Sequence, residues 1–152
     1  MDAHLLQQLL TLARGQEDRA AGVLRAAQAQ VARAAALQQQ LEDFGSDYRL
    51  AALDAQRSGG QIGFAMDALA FGQRLHGTAG EQGVAIAGHA ERRDAAARVL
   101  AQLQHRRQGL EKLLKKALRE QLRAQDKRQQ AELDDVIGAR WTRKLGTENA
   151  VE

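Results

Sequence analysis

The sequence predicts an all-α protein, a long antiparallel two-helix coiled-coil hairpin. Proline, the strongest helix breaker, is absent from all 152 residues. Aromatic residues make up only 3% of the chain, too few for the thick core of a globular domain, where aromatics supply much of the buried area. Alanine, leucine and charged residues dominate with helical periodicity, and this composition is typical of coiled coils.

The first helix is predicted at about residues 3–56. Alternating steps of three and four residues from Leu6 meet apolar or aromatic side chains, and only Gln16 and Gln30 interrupt them. Such a sustained stripe is the seam of a coiled coil. The expected seam positions are Leu6, Leu9, Ala13, Gln16, Ala20, Val23, Ala27, Gln30, Ala34, Leu37, Leu41, Phe44, Tyr48, Ala51 and Ala55.

A loop is predicted at about residues 57–63, where Ser58, Gly59, Gly60 and Gly63 break the pattern. A short loop between two long amphipathic helices implies an antiparallel hairpin. Facing residues should then have numbers that add to about 121, because the chain folds back on itself at the loop.

The second helix is predicted at about residues 64–140, followed by a tail at about 141–152. It outlasts its partner, so its C-terminal part from Arg119 onward should overhang. Residues 1–152 would form this one hairpin and no second domain. The expected seam of the second helix begins with Phe64, Ala68, Phe71, Leu75 and Thr78 and continues less cleanly, and five glycines lie within or beside it: Gly72, Gly77, Gly80, Gly83 and Gly88.

Side chains that could carry catalysis are few. The absence of cysteine excludes disulfides and cysteine-ligated metals. The glycine-rich loop lacks the lysine and Ser/Thr of a phosphate-binding loop. We therefore expect no enzyme, no cofactor and no metal site; nor do we expect a signal peptide or a membrane span. The histidines never fall at spacings that pair them on one helix face for a metal: His4, His76, His89 and His105.

A basic stretch covers residues 105–128, with nine Lys or Arg against three acids. One interpretation is a solvated face near a helix C-terminus, where cations are favourable. The other is a docking surface for an acidic partner. Nucleic acid is a poor candidate, because the stretch has no aromatic residue for base stacking. We name the candidate residues the basic cluster: Arg106, Arg107, Lys112, Lys115, Lys116, Arg119 and Arg123.

Four of the five aromatic residues lie close to the loop: Phe44, Tyr48, Phe64 and Phe71. The rings could lock that end of the hairpin, an interpretation that suits Phe64 best. They could instead grip a partner, because aromatic anchors dominate the energetics of interfaces. A two-helix hairpin cannot enclose so many large side chains, so part of this patch should stay exposed.

The spacing of these residues resembles the FliJ family of flagellar type III export proteins. Leu41-x-x-Phe44-x-x-x-Tyr48, a glycine-bearing loop and Phe71-x-x-x-Leu75 are similar to the family's Leu-x-x-Tyr-x-x-x-Tyr, turn and Tyr-x-x-Phe-x-x-x-Leu. Phe44 keeps a ring but lacks the hydroxyl of the common tyrosine. The family also ends in a basic, Gln-rich segment, which residues 119–140 match.

The resemblance implies a stalk that inserts into the ring of the export ATPase FliI and contacts the cytoplasmic domain of the export gate FlhA. It also implies a role with export chaperones, and a cytoplasmic location at the inner face of the inner membrane, peripheral through its partners. The end with both termini, including the basic cluster, would meet the ring. The family's gate contact maps onto what we name the loop-end cluster: Leu37, Leu41, Phe44, Tyr48, Phe71 and Leu75.

Thr78 and Gln82 fall where the family often has alanine and histidine, and they belong to that contact only weakly. The sequence leaves two alternatives open. One is the equivalent stalk of a virulence type III injectisome, which obeys the same physics with different partners. The other is a generic basic coiled-coil scaffold.

Overall fold

The chain forms two long helices in a computed structural model that describes residues 2–150. They are α1 (Ala3–Arg57) and α2 (Ile62–Asn149), and no strand occurs within the described residues. This confirms the all-α class. The first helix ends within a residue of its expected boundary.

The predicted limits of the second helix are wrong at both ends. Helix α2 begins at Ile62, so the loop comprises residues 58–61, and it continues to Asn149 instead of ending near 140. The expected tail is thus helical to that point, and residues 151–152 lie outside the described residues. A lone glycine costs a helix only about 1 kcal/mol. The strong helix formers around Gly138 and Gly146 therefore keep this part of the chain helical.

Local hydrogen bonds explain where α1 begins and ends. The backbone N–H of His4 donates to the Asp2 carboxylate at 3.3 Å, which is an N-cap contact. At the other end Gly59 has φ 73°, a left-handed conformation that glycine adopts without steric cost. The N–H of Gly60 then donates to the Ala55 carbonyl at 2.8 Å, which closes the helix in the manner of a Schellman motif.

The chain divides into two compact units, and each contains part of both helices. One comprises Gly15–Gln104; the other comprises residues up to Arg14 together with residues from His105 onward. The sequence predicted one hairpin and no second domain. We refer to them as the loop unit and the terminal unit. The helices are antiparallel in the loop unit, where the Gln38 side-chain amide donates to the Ala79 carbonyl at 3.1 Å.

The buried seam of α1 differs from the expected one by a partial rotation of the helix. The positions shared by both are Leu6, Ala13, Ala20, Ala27 and Ala34, and all five are buried. The intervening positions lie one residue later than expected. The residues buried there are Leu10, Gly45 and Ala52 instead of Leu9, Phe44 and Ala51.

Helix α2 shows the same shift. Its buried residues are Ala65, Ala68, Gly72 and Ala79, whereas Phe64, Phe71 and Thr78 of the expected seam are exposed. The physical reason is the close approach of the two backbones. A Cβ added to Gly72 would lie 3.0 Å from the Gly45 carbonyl oxygen. Small residues permit this approach, and it leaves no room for rings between the helices.

Candidate functional site

The α1 part of the loop-end cluster forms one stripe. Leu37, Leu41, Phe44 and Tyr48 recur at i, i+4, i+7 and i+11, and such residues share a helix face. Leu41 is half-buried, while the other three are exposed, Phe44 to 54%. Because the seam runs through Gly45, this stripe lies beside the helix–helix contact and faces solvent.

The two helices meet in this cluster through one pair of rings. Tyr48 of α1 and Phe71 of α2 have centroids 4.7 Å apart at 75°, an edge-to-face arrangement that aromatic pairs favour. The Arg74 guanidinium lies 5.6 Å from the Phe71 centroid, in cation–π range. Leu75, one turn further along α2, is half-buried. The structure therefore brings Tyr48 and Phe71 together as the sequence predicted.

Phe64 also belongs to this surface. It lines one shallow groove together with Tyr48, Phe71 and Arg74, and its ring is exposed. The sequence predicted Phe64 as a seam residue that locks the loop end of the hairpin, whereas the structure leaves it exposed. Its spacing of one heptad before Phe71 puts the two rings on the same face of α2.

These residues form an exposed apolar surface on the loop unit. Phe44, Phe64 and Phe71 remain exposed to solvent. Exposed apolar patches of this kind mark interaction sites on soluble proteins. The arrangement offers apolar side chains on which a partner could be anchored.

The basic cluster lies wholly on the α2 segment of the terminal unit. Lys112, Lys116, Arg119 and Arg123 recur at i, i+4, i+7 and i+11 and so share one face. All four are exposed, and Arg106 and Lys115 beside them are exposed as well. The cluster therefore presents a positive stripe to solvent.

Arg107 differs from the other members because it is half-buried and ion-paired. It donates a hydrogen bond to the Glu111 carboxylate at 2.9 Å, and Arg14 of α1 lies 3.5 Å from the same oxygen. The hydrogen bond from Arg107, more than any other contact, holds the pKa of Glu111 below its ordinary value of 4.5. Glu111 thus links the two helices of the terminal unit.

Within residues 2–150, no helix has the length and apolar character needed to cross a membrane. Over the same span, no three His, Asp or Glu side chains come together as a metal ion would require.

Two long helices that contact each other, without strands in the described residues, define an all-α protein of the coiled-coil type. The family model of the flagellar FliJ protein matches residues 3–146. The chain therefore belongs to the FliJ family and is a component of flagellar protein export. Comparison with curated proteins and with solved structures gives no match.

Proposed function

We propose that this protein is a stalk that couples the export ATPase ring to the export gate. The observation that carries the proposal is the exposed stripe of the loop-end cluster, which a hairpin held together by alanine and glycine does not need for its own packing. The family membership supports a role in flagellar export, and thereby favours the flagellar system over an injectisome or a generic scaffold.

The loop-end cluster is the proposed contact with the cytoplasmic domain of the export gate. Phe44 and Leu37 are its best anchors, because they are exposed and the seam passes through Gly45 instead. Tyr48 and Phe71 serve two roles, since their rings also contact each other. Binding would bury the rings and the flanking leucines, the type of contact that dominates interface energetics.

Phe44→Ala separates binding from folding more sharply than a change at the Tyr48–Phe71 pair. We expect it to lower gate affinity at least about tenfold, equivalent to about 1.4 kcal/mol, with an unchanged melting temperature. Val84→Ala is the matched control, because Val84 is an exposed apolar residue of the same unit outside the cluster. Unchanged gate binding by Phe44→Ala would contradict the assignment.

The basic cluster is the proposed contact with the ATPase ring. Its exposed stripe suits an acidic surface, and such an attraction weakens as salt screens it. Arg107 should contribute least, because Glu111 already neutralises part of its charge.

Charge reversal at Lys112 and Arg119 tests this contact. We expect Lys112→Glu with Arg119→Glu to weaken ring binding and to reduce its salt dependence. Arg25→Glu with Arg33→Glu is the matched control, since these arginines are exposed on the loop unit. Equal losses of ring binding in the two double variants would indicate a general effect of net charge and would count against a specific site.

The remaining expectations from the resemblance stay proposals. They are the handling of export chaperones and a cytoplasmic location, peripheral at the inner membrane through partners. Binding to nucleic acid stays disfavoured, because the basic stretch offers no aromatic residue for stacking.

A further inference from the structure

The last turns of α2 carry a second apolar surface that neither proposed contact uses. Four apolar residues recur every fourth position, and each is about half or more exposed. Ile137, Trp141 and Lys144 also line a shallow groove. We name the four the C-terminal stripe: Leu133, Ile137, Trp141 and Leu145.

No part of α1 covers this stripe. Every described residue from Leu118 onward is exposed. Helices in proteins gain most of their stability by packing an apolar face against another element. The helical form of residues 133–145 therefore leaves an apolar face available to a partner.

The charges around the stripe identify that partner. Acidic side chains surround its first turn, namely Glu132, Asp134 and Asp135, and basic side chains surround its last turns, namely Arg140, Arg143 and Lys144. An antiparallel second copy would bring the acidic turn of each chain beside the basic turns of the other. A parallel copy would set like charges together, which is unfavourable.

The apolar residues of the C-terminal stripe are also spaced symmetrically about their midpoint, as an antiparallel pair requires. Its midpoint falls at Ala139, so a two-fold axis there would place Leu133 beside Leu145 of the second copy and Ile137 beside its Trp141. Glu132 and Lys144 each come one residue before an end residue of the stripe, so both lie along the same edge of it. An antiparallel two-fold sets equal edges together, and Glu132 would then meet Lys144 of the second copy.

We propose that residues 132–145 form a self-complementary surface through which two copies of this chain associate antiparallel. The contact is isologous, so every favourable pair occurs twice. It is also short, since it involves one stripe of three to four turns. Interfaces of this small size are weak and concentration-dependent. This inference does not depend on the proposed contacts with the gate or the ring.

Cysteine cross-linking of the full chain tests the orientation, because the natural sequence has no cysteine. Leu133→Cys and Leu145→Cys proteins are oxidised separately and as a mixture. We expect the mixture to give a mixed disulfide dimer in clear excess over the dimers of either protein alone. Dominant Leu133→Cys homodimers would show a parallel contact and overturn the proposal.

Trp141 reports association directly, because it is the only tryptophan and is 64% exposed in the single chain. Its emission should shift to shorter wavelength as concentration rises, in step with the mass seen by sedimentation. Ile137→Asp should abolish both changes, and Val84→Asp, on the loop unit, should not. A single-chain mass and constant emission at all concentrations would leave the stripe to a different protein and overturn the proposal.

A charge swap distinguishes the proposed pairing from non-specific apolar contact. Lys144→Glu should weaken association about tenfold or more, because it places two like-charged pairs in the dimer. Adding Glu132→Arg should restore association to within about twofold of the natural protein. Circular dichroism confirms that each variant stays helical. Failure of the second change to restore association would overturn the pairing.

Discussion

Gly45 of α1 and Gly72 of α2 lie backbone against backbone in the loop unit. A Cβ on Gly45 would lie 3.1 Å from the Gly72 carbonyl oxygen, and a Cβ on Gly72 would lie 3.0 Å from that of Gly45. The His76 ring packs at the same place, also 3.1 Å from the added Cβ of Gly45. This contact sets the rotation of both helices and thereby turns the loop-end cluster outward.

Substitution of these glycines should destabilise the hairpin although alanine favours helices. We expect Gly72→Ala to lower the free energy of unfolding by about 1–3 kcal/mol, because the backbones must separate. Gly80→Ala is the control, since an added Cβ there meets nothing within 4 Å; it should stabilise by up to about 1 kcal/mol. Thermal melts by circular dichroism measure both, and stabilisation by Gly72→Ala would contradict the close approach.

The register of the seam can be tested with two neighbouring leucines. Leu10 is 6% exposed and Leu12 is 62% exposed, although both are leucines of one helix turn. Leu10→Ala should cost about 2 kcal/mol or more of stability, and Leu12→Ala should cost little. Chemical denaturation compares the two variants, and similar losses would show that the stripe is rotated from the position described.

The ion pairs of Glu111 should make stability depend on pH in a defined direction. Because the folded-state pKa of Glu111 lies below its ordinary 4.5, the carboxylate stabilises the fold above that pH. The contribution is lost as pH falls through the lower folded-state value. Glu111→Gln should therefore melt below the natural protein at neutral pH, and the difference should shrink in acid.

Glu91→Gln is the control for this effect, because Glu91 is an exposed acid of the other unit. Its melting temperature should stay close to that of the natural protein at neutral pH. A Glu111→Gln difference that persists unchanged in strong acid would show that packing of the side chain, and not its charge, links the helices.

The sequence predicts the class of fold well, because the lack of proline and the heptad spacing of apolar residues extend along the whole chain and both favour helix. It predicts the seam only in part. The same spacing fits two stripes one residue apart, and pattern reasoning prefers the larger side chains, such as Phe44 over Gly45. The choice depends on the close contact between Gly45 and Gly72, which is a property of two segments together and is not visible in either one.

The candidate sites could likewise be predicted only in part. The meeting of Tyr48 with Phe71 follows from antiparallel register and could be predicted, whereas the outward positions of Phe44 and Phe64 could not. The C-terminal stripe was missed because the helix was expected to end near residue 140. Trp141 and Leu145 then lay in a presumed tail, outside any periodic pattern.

Simultaneous binding of both partners tests the stalk proposal most directly. The cytoplasmic domain of the export gate is immobilised and loaded with the natural chain, and the export ATPase is then passed over it. We expect the ATPase to be retained only when the chain is present, and to be lost with either Phe44→Ala or the Lys112→Glu, Arg119→Glu pair. Release of the chain from the gate as the ATPase binds would show that the two partners compete for one surface, and would contradict a stalk that couples them.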